Sequence, residues 1–360
     1  MRKFLTANAF YKRQSDYAIE AFKKNTLMPR RYVFVLTNLC NLKCSFCFQE
    51  RKKREDRMYT NDWLKIIKEV PHNSRITLTG GEPLVYKDFD LIFSKCNEHS
   101  ETNIVTNGLL LSNQKIEKLL EEKNFSVLGV SIDTIGNTNR DFKKGQWDTL
   151  VEQLNKFVDL REKKASNAVL DIKTVILDEN IDNLFEIHKI VMKTLKADTH
   201  SLQLLKGAEI QHSDLMFDFK QVNSNYSAHQ YQKFDNLINQ LNLIKKYDFK
   251  NNFRTYLHPN LIDFTDQKEI KKDDFLFLNQ KKHQPENFAP CYAPWSSVHV
   301  NVDGNLFPCM AVPMGNVKKE KLSDIIFSDK FEKFKSLIRE KGTINGCNRC
   351  GYLKPKKEKI

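Results

Sequence analysis

Three cysteines, Cys40, Cys44 and Cys47, stand at C-x3-C-x2-C spacing in residues 39–48. Three thiolates on one short loop can surround a metal centre. A [4Fe–4S] cluster normally takes four cysteines, so three leave one iron open for a substrate or cofactor. An open position separates a reactive metal site from a structural one. Zinc would want a fourth Cys or His close by, and none stands within about twenty residues. A second group lies near the other end. Cys291 is followed by Gly304 and Cys309, and Cys347 and Cys350 form a C-x2-C pair. Four thiolates delivered in pairs suit either a Zn(Cys)4 site or a fully ligated [4Fe–4S] cluster, and spacing alone does not separate the two. Cys96 falls in an apolar helical stretch with Leu91, Ile92 and Phe93. It reads as a core thiol in preference to a hydrogen-atom donor.

Between these groups, distinctive polar residues sit where strands should end. Gly80-Gly81-Glu82-Pro83 follows Thr79. Two glycines let a backbone approach a ligand closely, and Glu82 supplies an acceptor suited to an ammonium group. Asn107 precedes Gly108, and Ser131 and Asp133 close an apolar run. Each is also compatible with ordinary strand-end turn polarity.

Taken together, C-x3-C-x-aromatic-C after the first strand and the Gly-Gly-Glu-Pro element after the second resemble the radical S-adenosylmethionine (radical SAM) superfamily. The resemblance covers residues 32–140. It implies that Cys40, Cys44 and Cys47 hold a [4Fe–4S] cluster whose open iron is chelated by SAM. The reduced cluster of that family cleaves SAM to methionine and a 5′-deoxyadenosyl radical, which takes a hydrogen atom from substrate. It further implies that Gly80, Gly81 and Glu82 hold the SAM amino group, and that Asn107, Ser131 and Asp133 lie near its ribose and carboxylate. Arg140 would pair the carboxylate, and the Phe46 backbone would touch the adenine. The sequence departs from the family where Thr134 follows Asp133 and Asp141 follows Arg140. Residues 290–352 resemble the family's SPASM extension in its shorter, twitch-like form. That implies one auxiliary [4Fe–4S] cluster on Cys291, Cys309, Cys347 and Cys350, able to accept the second electron of a substrate oxidation. An electron donor such as flavodoxin or ferredoxin is implied as well.

The elements that must carry these residues are legible from periodicity. Residues 31–36, 75–79, 102–106, 127–132, 170–176 and 201–205 read as strands. Residues 60–70, 88–97, 112–123, 147–163 and 183–196 read as helices, with Thr60 and Ser112 as N-caps. In 147–163 the stripe Leu150, Val151, Leu154, Phe157, Val158 and Leu160 forms one apolar face. Six strand–helix units imply a parallel sheet with right-handed crossovers. The expected class is α/β: a partial (β/α)6 TIM-like barrel with a small C-terminal cluster-binding domain. Its chemistry should lie at the carboxyl ends of the strands. The expected division is an N-terminal extension (1–27), the barrel (28–210), a helical connector or insertion (211–285), an auxiliary domain (286–354) and a basic tail (355–360). Residues 227–247 read as a helix and 248–284 as irregular. Trp295 is expected over the auxiliary cluster, and His299 faces solvent or core in preference to cluster or substrate. The first thirty residues look too short for a peptide-binding domain.

The chain has 360 residues, 29% of them charged, with a formal net charge of +13. Eight cysteines are too few for a disulfide scaffold. No apolar run is long enough to span a bilayer, and the N-terminus lacks the apolar core of a secretory signal. The expectation is a cytoplasmic protein with reduced thiols. The positive charge reads as solvated surface, since the basic runs at 51–54 and 354–359 lie far apart, and nucleic acid is an improbable partner. Two enzyme hypotheses follow. The first is oxidation of a small polar substrate of the sugar or aminocyclitol type. The second is maturation of a peptide or protein, for which the +13 charge would recruit an acidic partner. A third, from another class, is a zinc-stabilised, non-catalytic nucleic-acid-binding protein.

Overall fold

A computed structural model describes residues 2–47, 56–138, 140–206, 228–309 and 312–356 of the chain. The basic run at 51–54, the connector before residue 228 and the last residues of the basic tail lie outside them.

Among the described residues, ten strands form one continuous sheet. In chain order they are β1 (Arg31–Val35), β2 (Arg75–Thr79), β3 (Glu101–Thr106), β4 (Phe125–Ser131), β5 (Val169–Ile176), β6 (Thr199–Leu204), β7 (Thr255–His258), β8 (Ser297–Val300), β9 (Asn305–Phe307) and β10 (Gly315–Asn316). In space their order is β10-β9-β8-β1-β2-β3-β4-β5-β6-β7. Strands β1 to β7 pair in parallel with their sequence neighbours, as strand–helix–strand crossovers dictate. The six expected strands are all present, within two residues of the expected ends.

Two features extend the expected barrel. The four-residue strand β7 adds a seventh parallel member, inside the stretch that read as irregular. It is too short for a period of two to declare itself. At the other edge β8 pairs in parallel with β1, Tyr32 opposite Val298. The segment bearing Cys291 is thus hydrogen-bonded into the barrel sheet, and β9 and β10 continue it as antiparallel strands.

Among the described residues, the α-helices of five or more residues are α1 (Arg2–Lys24), α2 (Thr60–Glu69), α3 (Phe89–Asn97), α4 (Asn113–Glu121), α5 (Gln146–Lys163), α6 (Leu184–Lys189), α7 (Phe234–Asn251), α8 (Leu322–Ile326) and α9 (Asp329–Lys341). Ser112 caps α4, accepting the Lys115 N–H at 3.1 Å. The cap of α2 is one residue earlier than expected. Tyr59 occupies it and donates its N–H to Asp62 at 2.8 Å, while the Thr60 hydroxyl bonds Asp88. The expected helix at 183–196 is composite: a short 3-10 turn, then α6, then a π turn over Ile190–Thr194. Residues Leu150, Leu154, Phe157 and Val158 of α5 are buried, as their spacing requires. Cys96 is fully buried in α3 and its thiol is pushed up by burial alone, in keeping with a core role.

The Trp295 side chain, expected over the auxiliary cluster, makes contacts with α1 and α9. Its ring lies 4.7 Å from that of Phe22 on α1, its Nε1 donates to Asn25 at 2.6 Å, and the Arg339 guanidinium stacks on it at 5.0 Å. The N-terminal segment forms a helix that docks onto the C-terminal third, and Trp295 is the anchor.

Candidate active site

The cysteine loop leaves β1 and immediately crosses the end of β2. Leu36 donates to the Thr79 carbonyl at 2.8 Å, Gly81 to Thr37 at 2.6 Å and Glu82 to Leu39 at 2.8 Å. A Cβ on Gly80 would lie 2.3 Å from the Thr37 carbonyl oxygen, and one on Gly81 the same distance from that of Leu39. Such contacts with backbone have no flexible escape. The glycine pair therefore seats the cysteine loop on the sheet, in addition to lining the cavity beside it.

Glu82 is completely buried. Its carboxylate accepts the Thr106 hydroxyl at 2.7 Å, the Leu84 N–H at 3.0 Å and the Asn107 N–H at 2.8 Å. Burial raises its pKa against those three hydrogen bonds. Asn107 in turn donates its amide to Asn41 at 2.8 Å and approaches the Cys40 sulfur at 3.8 Å. The Gly-Gly-Glu and Asn107 elements, separate in sequence, thus form one hydrogen-bonded frame around the cysteine loop.

The third corner is Asp133 with Arg140. Asp133 accepts the Val175 N–H at 2.7 Å and forms an ion pair with Arg140. The guanidinium stands 5.3 Å from the Phe46 ring. Burial opposes its charge, but Asp133 and the Cys44 thiol hold it on. Burial likewise pushes up the thiols of Cys40 and Cys44, with Arg140 drawing Cys44 back.

These groups surround a cavity of about 250 Å³, to which Cys40, Cys44, Phe46, Cys47, Asn107, Ser131 and Arg140 contribute. Its other wall comes from residues that the sequence did not mark: Lys173 and Val175 of β5, Ser201 and Gln203 of β6, and His258 of β7. The signal for these was the alternation of β5, where Asp171, Lys173 and Val175 share one face. A larger cavity, about 770 Å³, lies against the outer edge near Thr255 and Phe264, and no cysteine lines it.

In the C-terminal third the four cysteines converge. Cys309 feels Cys347, Cys291 and Cys350, and loss of solvation pushes Cys309 and Cys347 up and Cys291 to about 12. Gly304, at φ +85°, turns β8 into β9. His299 stacks on Phe307 at 5.2 Å.

Both thiol groups fit cluster ligation by the chemistry of their donors. All eight cysteines are free thiols rather than disulfides. The sulfurs of Cys40, Cys291 and Cys347 each accept a backbone N–H at 3.4 Å, the kind of bond that tunes ligating sulfur in clusters. Several desolvated thiols side by side resist ionisation, and a cationic centre reverses that preference. Among the described residues, no three His, Cys, Asp or Glu side chains close around a single-ion site.

The comparisons with known proteins agree with this geometry. Residues 34–191 match the radical SAM superfamily, and residues 291–351 match the SPASM iron–sulfur cluster-binding domain. The chain carries a radical SAM domain and a C-terminal SPASM-type domain, which imply SAM, a [4Fe–4S] cluster and auxiliary cluster iron. Among its relatives is the sporulation killing factor maturation protein SkfB of Bacillus subtilis, 24% identical over 84% of this chain and 65% of that protein. The chain thus spans slightly less than two thirds of that relative. A GTP 3′,8-cyclase of Campylobacter jejuni subsp. doylei is 24% identical over 85% of this chain and 88% of that one. In fold the chain resembles Streptococcus suis SuiB bound to its precursor peptide SuiA, with TM-score 0.61 and 20% identity over 90% of this chain and 71% of that one. No helix among the described residues is long and apolar enough to cross a membrane.

Proposed function

We propose that the chain is a radical SAM maturase that modifies a peptide or protein. The observation that supports this over a sugar-type substrate is the match to SkfB across 84% of the chain. The fold shared with the peptide-bound SuiB is compatible with it. In this reading Cys40, Cys44 and Cys47 hold the cluster with the open iron. Gly80, Gly81, Glu82, Asn107, Ser131, Asp133, Arg140 and Phe46 form the SAM site, within residues 28–210. Cys291, Cys309, Cys347 and Cys350 hold an auxiliary cluster, within residues 286–354. When bound, these cofactors supply hydrogen-atom abstraction and an acceptor for the remaining electron. A flavodoxin or ferredoxin supplies the initiating electron.

The chain's own residues orient and exclude. Arg140, held by Asp133, offers a guanidinium to the cofactor carboxylate beside Cys44. Glu82 fixes the ends of β2 and β3, so the cavity wall does not relax when the site fills. Phe46, facing Arg140, closes the cavity beside Cys47.

The test is anaerobic incubation of the reconstituted enzyme with SAM, a reductant and short peptides encoded beside its gene. A peptide that loses two hydrogens supports oxidative maturation. The long match to a GTP 3′,8-cyclase favours a second reading, a nucleotide substrate. GTP in the same assay, turned over while every peptide returns unchanged, would replace the first reading with the second.

A further inference from the structure

The cavity has two walls of different character. The first, built from the cysteine loop and the ends of β2 to β4, carries the residues assigned above to SAM. The second is made by three successive strands, and apart from Val175 the side chains named above are polar, where the inside of a closed barrel is ordinarily packed with Val, Ile and Leu. Polar groups in such a place are expensive unless they are paired or used.

Asp171 is the fixed point of this wall. It is 5% exposed. It accepts the Thr199 and Ser201 hydroxyls, each at 2.8 Å, and the Lys173 ammonium at 2.5 Å. The lysine stem runs over Gly129 of β4, where a Cβ would lie 2.8 Å from Lys173 Cε. A carboxylate with three donors and a glycine that clears a channel together hold one ammonium against the cavity. Two further cations, Arg31 and Lys206, act near this wall. His258 lies in the fields of Lys173, Asp171 and Arg31. His299 lies in those of Arg31 and Lys206.

SAM carries one carboxylate, and Arg140, pinned by its own aspartate, already stands beside the cysteine loop to meet it. Lys173 is a second cation on the facing wall, with a second aspartate behind it. We propose that Lys173, pinned by Asp171 over Gly129, is the substrate-recognition residue of this chain, and that it takes the carboxylate of an acidic residue in the peptide substrate. The assignment rests on the maturase reading for the word peptide, and on the cavity alone for the word carboxylate. His258 flanks the site, and Gln203 is held beside it, donating its amide to the Leu204 and His258 carbonyls at 2.9 and 3.0 Å.

The test uses the anaerobically reconstituted holoenzyme saturated with SAM, titrated calorimetrically with three probes. Two are capped pentapeptides, Gly-Gly-Glu-Gly-Gly and Gly-Gly-Gln-Gly-Gly, and the third is glutarate. The Glu peptide is expected to bind about tenfold more tightly than the Gln peptide. Lys173→Met removes that preference, and Lys173→Arg keeps part of it. Gly129→Ala, which meets only the far end of the lysine at 2.8 Å and the Ile104 carbonyl at 3.2 Å, weakens it with the fold retained. Iron content and SAM affinity serve as controls in each variant. Equal affinity for the two peptides, a preference that survives in Lys173→Met, or no binding of any probe overturns the proposal. Loss of SAM affinity in Lys173→Met also overturns it, by placing the lysine in the cofactor's site. Lys173-dependent binding of glutarate with neither peptide bound keeps the carboxylate subsite and removes the peptide reading.

Discussion

Glu82 accepts the backbone N–H of Asn107 at 2.8 Å, tying the turn after β2 to the turn after β3. The same carboxylate holds Thr106 and Leu84, and Asn107 holds Asn41 of the cysteine loop. One buried side chain thereby determines where the loop sits relative to the sheet.

Glu82→Gln keeps the shape but replaces one acceptor oxygen by an NH2 group, which then faces a donor. Leaving a buried donor unmet costs about 1–3 kcal/mol. A lowered thermal midpoint, measured on the unreconstituted protein to exclude cofactor effects, is the expected result. An unchanged midpoint would show that the frame tolerates the loss.

Gly81→Ala places a methyl 2.3 Å from the Leu39 carbonyl oxygen, a contact only backbone movement relieves. The loop bearing Cys40, Cys44 and Cys47 must lift. Reconstituted iron should fall from about eight to about four per chain, with SAM affinity lost. Full iron and unchanged SAM binding would mean the loop is not seated by the glycine.

The two thiol sets should fail independently. Cys44→Ala is expected to abolish SAM cleavage and the SAM-induced change in the electron paramagnetic resonance spectrum. Cys309→Ala should leave that change in place while iron drops by about half. Loss of all iron in either variant would point to misfolding. Two equivalents of zinc without sulfide in the parent protein would remove the cluster assignment altogether.

Acid should destabilise the fold through two partly buried imidazoles. Loss of solvation, then Lys173, holds His258 at about 4. Loss of solvation, then Arg31, holds His299 at about 3. Both lie below the unfolded value of about 6.5. The unfolded chain therefore binds more protons between those values, and stability falls as pH drops below about 6.5. Denaturant unfolding at a series of pH values should show this loss. The His258→Gln variant should show a shallower one, and an equal slope in both would assign the loss elsewhere.

Much of the proposed site was legible because its candidate ligands are local. Cys40, Cys44 and Cys47 share one loop, and spacing within a loop survives in the sequence. The six parallel strands were legible because each is a β-branched run bounded by helix periodicity. Ser112 was readable as a cap, since a cap acts within one turn.

Other features were decided only when distant segments met. Strand β7 is four residues without a distinctive period, and its identity comes from pairing with β6. The docking of β8 on β1 joins residues more than 260 apart, Arg31 to Ser297. Gly80 and Gly81 read as ligand-approach glycines, and it took the crossing of the Thr37–Leu39 backbone to show what their missing Cβ atoms clear. Lys173 looked like any strand lysine. Its placement depends on Asp171 beside it, Gly129 on the next strand and His258 from the far edge, which no local pattern encodes. The sequence by itself determined which atoms could hold the cofactors, because metal ligation is written in short spacing. Tertiary structure decided what faces them, because a barrel wall is assembled from residues that only strand pairing brings to one side.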